Sequence, residues 1–170
     1  MSLVAFGLGA NLGDRVAALQ GAVDILSPHL RNARVSAIYE TAPIGGPEQP
    51  DYANAVLVGE SDASPLDLLS LAQEAESAWH RTREVRWGAR TLDVDILCVG
   101  DTVSTDPMLT LPHPRAHERA FVLVPWAEVD PEAALPDGRR VAGLADAAMA
   151  LAGAESVRIR GDITLLVPAP

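Results

Sequence analysis

TLDVDILCV, residues 91–99, reads as a strand, and its two aspartates decide where that strand can sit. In extended chain successive side chains point to opposite faces, so Asp93 and Asp95 share one face while Leu92, Val94 and Ile96 share the other. The apolar side belongs against a core. The carboxylate side does not, unless something positive lies beside it. Arg81, Arg83, Arg86 and Arg90 all fall within residues 81–90, just before the strand. The pair has two readings: a strand end with a solvated face, or a divalent-cation site in which carboxylates two apart share Mg²⁺ ions that clamp a phosphoryl group. The arginines favour the second, because a guanidinium fork matches phosphate oxygens.

Working outward, residues 2–8 (SLVAFGL) predict a buried strand followed by a turn at GANLGD, and the spacing of Val16, Leu19, Val23 and Leu26 predicts a helix over 14–28. RVSAIYET (34–41) alternates as one strand, and APIGGPEQPD (42–51) is a proline- and glycine-rich loop. YANAVLVGE (52–60) is the next strand. Ser64 is a good N-cap, with Pro65 at the first helical position, for a helix running to about Arg83. With 91–99 as the fourth strand the order is βαββαβ. This is a ferredoxin-like α+β core: an antiparallel sheet with helices on one face. The rest of the chain reads as a C-terminal helical and strand extension: a short helix over 116–128 disturbed by Pro125, a clean one over 141–152, and a strand or hairpin from SVRIR to ITLLV at a sheet edge. No linker or repeat interrupts residues 1–170, which are expected to form a single domain.

Composition narrows the class of function. The net charge is −10 and no residue is a lysine, so neither nucleic acid nor an anionic membrane surface is an expected partner. A Walker A loop is excluded for want of its lysine. No run of about 20 apolar residues predicts a membrane span. The N-terminus does not read as a signal peptide and Cys98 is the only cysteine, which together lead to a cytoplasmic expectation.

Other patterns carry weaker signals. Gln73, Glu76, His80 and Arg83 align on one helical stripe leading toward the aspartate strand: a solvated face, or hydrogen-bonding groups for an adenine or ribose. GLGANLGDR (7–15) fails as a dinucleotide fingerprint because Leu12 stands at the third glycine, and its glycines read as a tight strand-to-helix turn. LPHPRAHERAF (111–121) brings His113, Arg115, His117 and Arg119 together and suits a phosphate pocket better than a zinc site. Thr41, Tyr52 and Asn54 offer the stacking face and hydrogen-bonding edge that a flat heterocycle needs.

GANLGD, YETAPIGGPEQPDYANA, RWGARTLDVDIL and LPHPRAHERAF, in this order and spacing, resemble the 6-hydroxymethyl-7,8-dihydropterin pyrophosphokinase family, over about residues 3–138. The resemblance implies an ATP-dependent diphosphotransferase of folate biosynthesis that passes pyrophosphate from ATP to 6-hydroxymethyl-7,8-dihydropterin and releases AMP. It implies that Asp93 and Asp95 hold two Mg²⁺ ions, and that Arg81 and Arg90 approach the phosphates. On the same basis Thr41, Pro43, Ile44, Tyr52, Asn54 and Phe121 form the pterin site, with Phe121 stacking opposite Tyr52. Gln73, Glu76, Arg83, Trp87, Ile96, Thr110, His113 and Arg119 contact ATP. Ala10, Ala42, Ala89 and Pro114 depart from the usual family motifs. The tail beyond about residue 153 has no assigned role. Two other classes stay open on the residues alone: a two-metal nucleotidyltransferase-like enzyme, and a non-catalytic ferredoxin-like ligand-binding module.

Overall fold

The computed structural model describes residues 1–11, 13–42, 51–82 and 92–169. Strand β1 (Ser2–Ala10) runs through the middle of a mixed α+β fold, with β4 (Tyr52–Ser61) on one side and β5 (Asp93–Val99) on the other, both antiparallel. The sheet order is β5-β1-β4-β3-β8, where β3 is Ile38–Thr41 and β8 is Arg158–Arg160; β2 (Arg31–Val35) also pairs with β4. Helices α1 (Arg15–Leu26) and α2 (Pro65–Thr82) pack on one face, burying Val4, Phe6 and Leu8 of β1 with Val94 and Ile96 of β5. This is the expected ferredoxin-like core.

Each end of these helices has a local cause. Gly13 takes a positive φ of 68° at the turn, and the Asp14 carboxylate then accepts the Ala17 N–H at 3.0 Å to cap α1. Ser64 caps α2 as its sequence position predicts, its hydroxyl accepting the Asp67 N–H at 3.2 Å. On the opposite face α3 (Ala120–Val129) and α4 (Val141–Ala152) cover Ala5, Val56, Val58, Leu97 and Cys98 with Leu123, Trp126, Val141 and Ala145. The C-terminal extension therefore supplies the second layer of helices. Pro125 sits inside α3 without ending it, and a short 3₁₀ turn, Ala116–Glu118, precedes the helix.

Three elements differ from their sequence reading. The stretch 34–41 is not one strand: β2 and β3 flank a break at Ser36 and Ala37, across which the register on β4 slips. There the Ser36 hydroxyl accepts the Val56 N–H at 2.9 Å, and the Ala37 N–H turns away to the Glu128 carboxylate of α3 at 2.8 Å. A small hairpin of β6 (Ser104–Asp106) and β7 (Leu109–Leu111) lies where no strand was expected. Among the described residues of the tail, only Arg158–Arg160 joins the sheet, as the edge strand β8 beside β3. ITLLV (163–167) crosses α1 instead: Leu165 is buried, and the Gln20 side chain both donates to the Leu166 carbonyl at 2.7 Å and accepts its N–H at 3.0 Å. A side-chain amide thus takes the place of a strand partner.

Candidate active site

The ladder registers bring the site together. Asp93 lies opposite Gly9, Gly9 opposite Asn54, and Asn54 opposite Tyr39; one step on, Asp95 lies opposite Gly7 and Thr41 opposite Tyr52. Because faces alternate along every strand, Asp93, Asp95, Gly7, Gly9, Asn54, Thr41 and Tyr52 all belong to the face that α3 and α4 cover only in part. Leu92, Val94 and Ile96 are buried under α1 and α2, as their alternation with the aspartates predicts. Leu97 is an extra residue in β5, because Ala5 pairs with Cys98 while Phe6 pairs with Ile96. This bulge turns Leu97 and Cys98 both into the second core and separates the sealed end of that face from the aspartates.

Gly7 keeps its place in the strand read over 2–8, whereas Gly9 overturns its reading as part of the turn. They do not make the strand-to-helix turn; both lie inside β1, half-exposed between buried neighbours. A Cβ on Gly9 would stand 3.5 Å from the Asn54 Oδ1, and one on Gly7 would stand 3.3 Å from the Leu97 side chain. Side chains at these positions would occupy the ground between the aspartates on β5 and the polar groups on β3 and β4. The glycines keep that ground low, forming the floor of a cleft. The missed signal was their spacing, i and i+2, matching that of the aspartates.

At one wall, Asn54 is buried and donates from Nδ2 to the Thr41 hydroxyl at 3.1 Å and to the Tyr39 carbonyl at 3.3 Å, fixing its amide plane. Tyr39 itself donates to Glu128, and burial together with that carboxylate pushes its phenol up to about 12. At the other wall the Asp95 side chain is 49% exposed, with His113 Nε2 3.9 Å from its Oδ2. The backbone N–H of His113 donates to the Leu97 carbonyl at 2.9 Å, anchoring this segment beside β5. Its Nδ1 accepts the Arg115 N–H at 3.2 Å, so the neutral ring carries its proton on Nε2, toward Asp95. Burial holds the imidazole below its ordinary pKa; Asp95 opposes this, and Arg119 and Arg115 reinforce it. Arg119 also lies over the Phe121 ring at 5.6 Å from its centroid, at the start of α3. Arg115 is exposed and paired with Glu118 at 3.2 Å.

The other described residues that the resemblance assigns to ATP are spread over α2, β5 and β7. Glu76 reaches the outer edge of β5 from α2, its Oε2 accepting the Val94 N–H at 3.1 Å. Gln73 is exposed one turn earlier on the same helix. Thr110 sits on β7 and donates its hydroxyl to the Asp106 carbonyl at 3.1 Å. The Ile96 side chain is buried in the core, on the face opposite Asp95. Arg81 is placed by its backbone alone, in the last turn of α2. Pro43, Ile44, Arg83, Trp87 and Arg90 lie outside the described residues.

A family model described as 7,8-dihydro-6-hydroxymethylpterin-pyrophosphokinase (HPPK) matches residues 5–131, well over half of the chain. The chain belongs to this family. A 2-amino-4-hydroxy-6-hydroxymethyldihydropteridine pyrophosphokinase of Mycobacterium tuberculosis (strain ATCC 25618 / H37Rv) is 46% identical over 145 residues, covering 79% of this chain and 76% of that relative. Its namesake in Bacillus subtilis (strain 168) is 44% identical over 124 residues, 72% of this chain and 74% of the relative. Among solved structures, a wild-type Plasmodium falciparum HPPK-DHPS superposes with a TM-score of 0.69 at 14% identity, over 89% of this chain. That likeness concerns the fold, and this chain spans only 45% of the solved one. The family match ends at residue 131, so α4 and β8 lie beyond it.

Proposed function

We propose that the glycine-floored cleft is the active site of an ATP-dependent pterin pyrophosphokinase, a diphosphotransferase of folate biosynthesis. It transfers pyrophosphate from ATP to 6-hydroxymethyl-7,8-dihydropterin, giving the dihydropterin pyrophosphate and AMP. The observation that carries this reading is the shared face. Two carboxylates on β5 confront the Asn54–Thr41 pair and Tyr52 across Gly7 and Gly9, within a chain of this family.

Asp93 and Asp95 suit Mg²⁺. They offer hard oxygen donors on one face, and Asp95 is open enough for phosphate oxygens to complete the coordination, the usual way Mg²⁺ is held beside a nucleotide. When bound, two such ions neutralise the triphosphate and polarise its phosphorus centres. The chain's own residues do the positioning. Asn54, held by Thr41 and the Tyr39 carbonyl, presents a fixed hydrogen-bonding edge to the heterocycle, and Tyr52 and Phe121 offer ring faces. Pro43 and Ile44 join them on the resemblance alone. His113 turns its Nε2 toward Asp95, on the phosphate side, and Arg119, over the Phe121 ring, is assigned to the phosphates by resemblance. Glu76 reaches the edge of β5 through the Val94 N–H, and Gln73, Thr110, the Ile96 backbone, Arg81, Arg83, Trp87 and Arg90 are assigned to the nucleotide beside it by resemblance.

In this arrangement the hydroxymethyl oxygen attacks the β-phosphorus in line. The bond from that phosphorus to the oxygen bridging it to the α-phosphorus breaks, AMP leaves, and the hydroxyl proton passes to solvent. Alignment and charge stabilisation are what this reaction asks of a protein. Incubation with ATP, Mg²⁺ and 6-hydroxymethyl-7,8-dihydropterin, followed by chromatography of the adenine products, tests the proposal. The expected result is AMP equal to the dihydropterin consumed. Release of pyrophosphate would instead indicate nucleotidyl transfer, and no ATP consumption would indicate a binding module; either overturns it.

A further inference from the structure

The segment after α4 has no counterpart in the family match, yet it is attached to the pterin side of the cleft. Strand β8 pairs with β3, placing Arg158 opposite Glu40 and Arg160 opposite Ile38. From there Arg160 pairs with Glu40, whose side chain is only 15% exposed, and Arg158 pairs with Asp51. Glu40 and Asp51 are the chain neighbours of Thr41 and Tyr52, which are ladder partners of each other. The tail therefore grips both strands at the point where they carry those two side chains.

Inside the matched part of the chain, Arg15 at the start of α1 makes a parallel connection. It donates to the Glu40 carboxylate at 3.2 Å and to the Asp51 backbone carbonyl at 2.7 Å. Glu40 thus lies between two guanidinium groups, one from α1 and one from the tail. Arg160 is itself oriented by two hydrogen bonds to Asp162, each 2.8 Å. Beyond it the tail is tied down again, by buried Leu165 and by the reciprocal Gln20–Leu166 hydrogen bonds. An isolated exposed ion pair contributes little, but a network centred on a largely buried carboxylate and anchored at both ends holds geometry.

We propose that the C-terminal segment is a brace for the heterocycle-binding wall, in which Arg158 and Arg160 act as positioning residues that fix Thr41 and Tyr52 through Asp51 and Glu40. The proposal rests on the reading of the cleft as a pterin site. It assigns the brace to one substrate only: the nucleotide side, built on β5, α2 and the His113 segment, has no link to β8 among the hydrogen bonds and ion pairs described above.

The test compares the full-length protein with Arg158→Ala, Arg160→Ala and the double variant, by steady-state kinetics with each substrate varied in turn. The double variant is expected to raise KM for the dihydropterin about tenfold while kcat and KM for ATP stay within about twofold. Asp51→Ala is expected to raise KM for the dihydropterin as Arg158→Ala does, and combining the two to add nothing further. Retention of the wild-type KM for the dihydropterin, or an equal rise for ATP, overturns the brace, including where Tm falls through lost packing alone. Should the unmodified protein form no AMP, the reading of the cleft fails instead. Amide hydrogen exchange at residues 38–41 and 52–55 then decides the brace by itself: faster exchange in the double variant supports it, and unchanged exchange removes it.

Discussion

The two faces of the sheet are drawn from alternate residues of the same strands, and they end differently. Toward α1 and α2, β1 presents Val4, Phe6, Leu8 and Ala10 and β5 presents Val94 and Ile96, all buried. Toward α3 and α4, Ala5 of β1 and Leu97 of β5 join Val56 and Val58 of β4 in a packed core at one end, and β1 and β5 then present Gly7, Gly9, Asp93 and Asp95 at the other. The difference shows how one alternation serves two purposes. A carboxylate pair cannot be sealed beneath a helix without a large desolvation cost. Where α3 and α4 stop short, the pair stays in reach of cations and phosphate, and glycines in place of apolar side chains leave room for a ligand.

If the faces divide stability from activity, substitutions should divide in the same way. The largest effect is expected from Phe6→Ala on the sealed face, a loss of about 3–5 kcal/mol of unfolding free energy. Urea unfolding measures it, and turnover per folded molecule should be kept; a matching loss of turnover in the folded fraction would mean the faces are not separable. On the open face, Gly9→Val should lower kcat/KM for the dihydropterin at least about tenfold, since the new side chain rises beside the Asn54 Oδ1, while Tm holds or rises with the better strand former. Unchanged kinetics would show that the floor of the cleft is not used.

A smaller effect tests the edge between the faces. Glu76→Ala strips the Val94 N–H of its acceptor and should cost about 1 kcal/mol, whereas Glu76→Gln, which keeps an acceptor, should cost less than half of that. Equal losses would mean that the hydrogen bond is not what Glu76 contributes. The smallest effect belongs to the sealed end. Burial, with Asp101 adding to it, pushes the Cys98 thiol up to about 12, so at pH 8 almost no thiolate exists in the folded protein. Iodoacetamide should leave the native protein unmodified over a period that fully alkylates it in urea; rapid native alkylation would show that this end opens.

Much of this was legible in the sequence because its causes are local. The alternation of 92–96 assigns the aspartates to one face, Ser64 marks the start of α2, and the apolar spacing of 141–152 matches α4 end to end. The family motifs lie along the chain in order, and the registers bring Thr41, Tyr52, Asn54, Asp93 and Asp95 to one face. What escaped depends on partners far along the chain. The break at Ser36–Ala37 follows from a hydrogen bond to Glu128, and the role of Arg158 and Arg160 follows from Asp51 and Glu40. No window around these residues contains the reason for their placement. Gly9 was misread for a different cause: glycine beside a turn motif suggests the turn, and only the ladder reveals that Gly9 is in the strand and Gly13 makes the turn.

The most direct test is Asp95→Ala, measured as the rate of AMP formation with ATP, Mg²⁺ and 6-hydroxymethyl-7,8-dihydropterin, alongside thermal unfolding of the same sample. Asp95 is half-exposed at the end of the open face, so its removal should leave Tm nearly unchanged while AMP formation falls more than about a hundredfold. A variant that kept more than about a tenth of the wild-type rate, or lost activity only by unfolding, would contradict the assignment of this face as the site of pyrophosphoryl transfer.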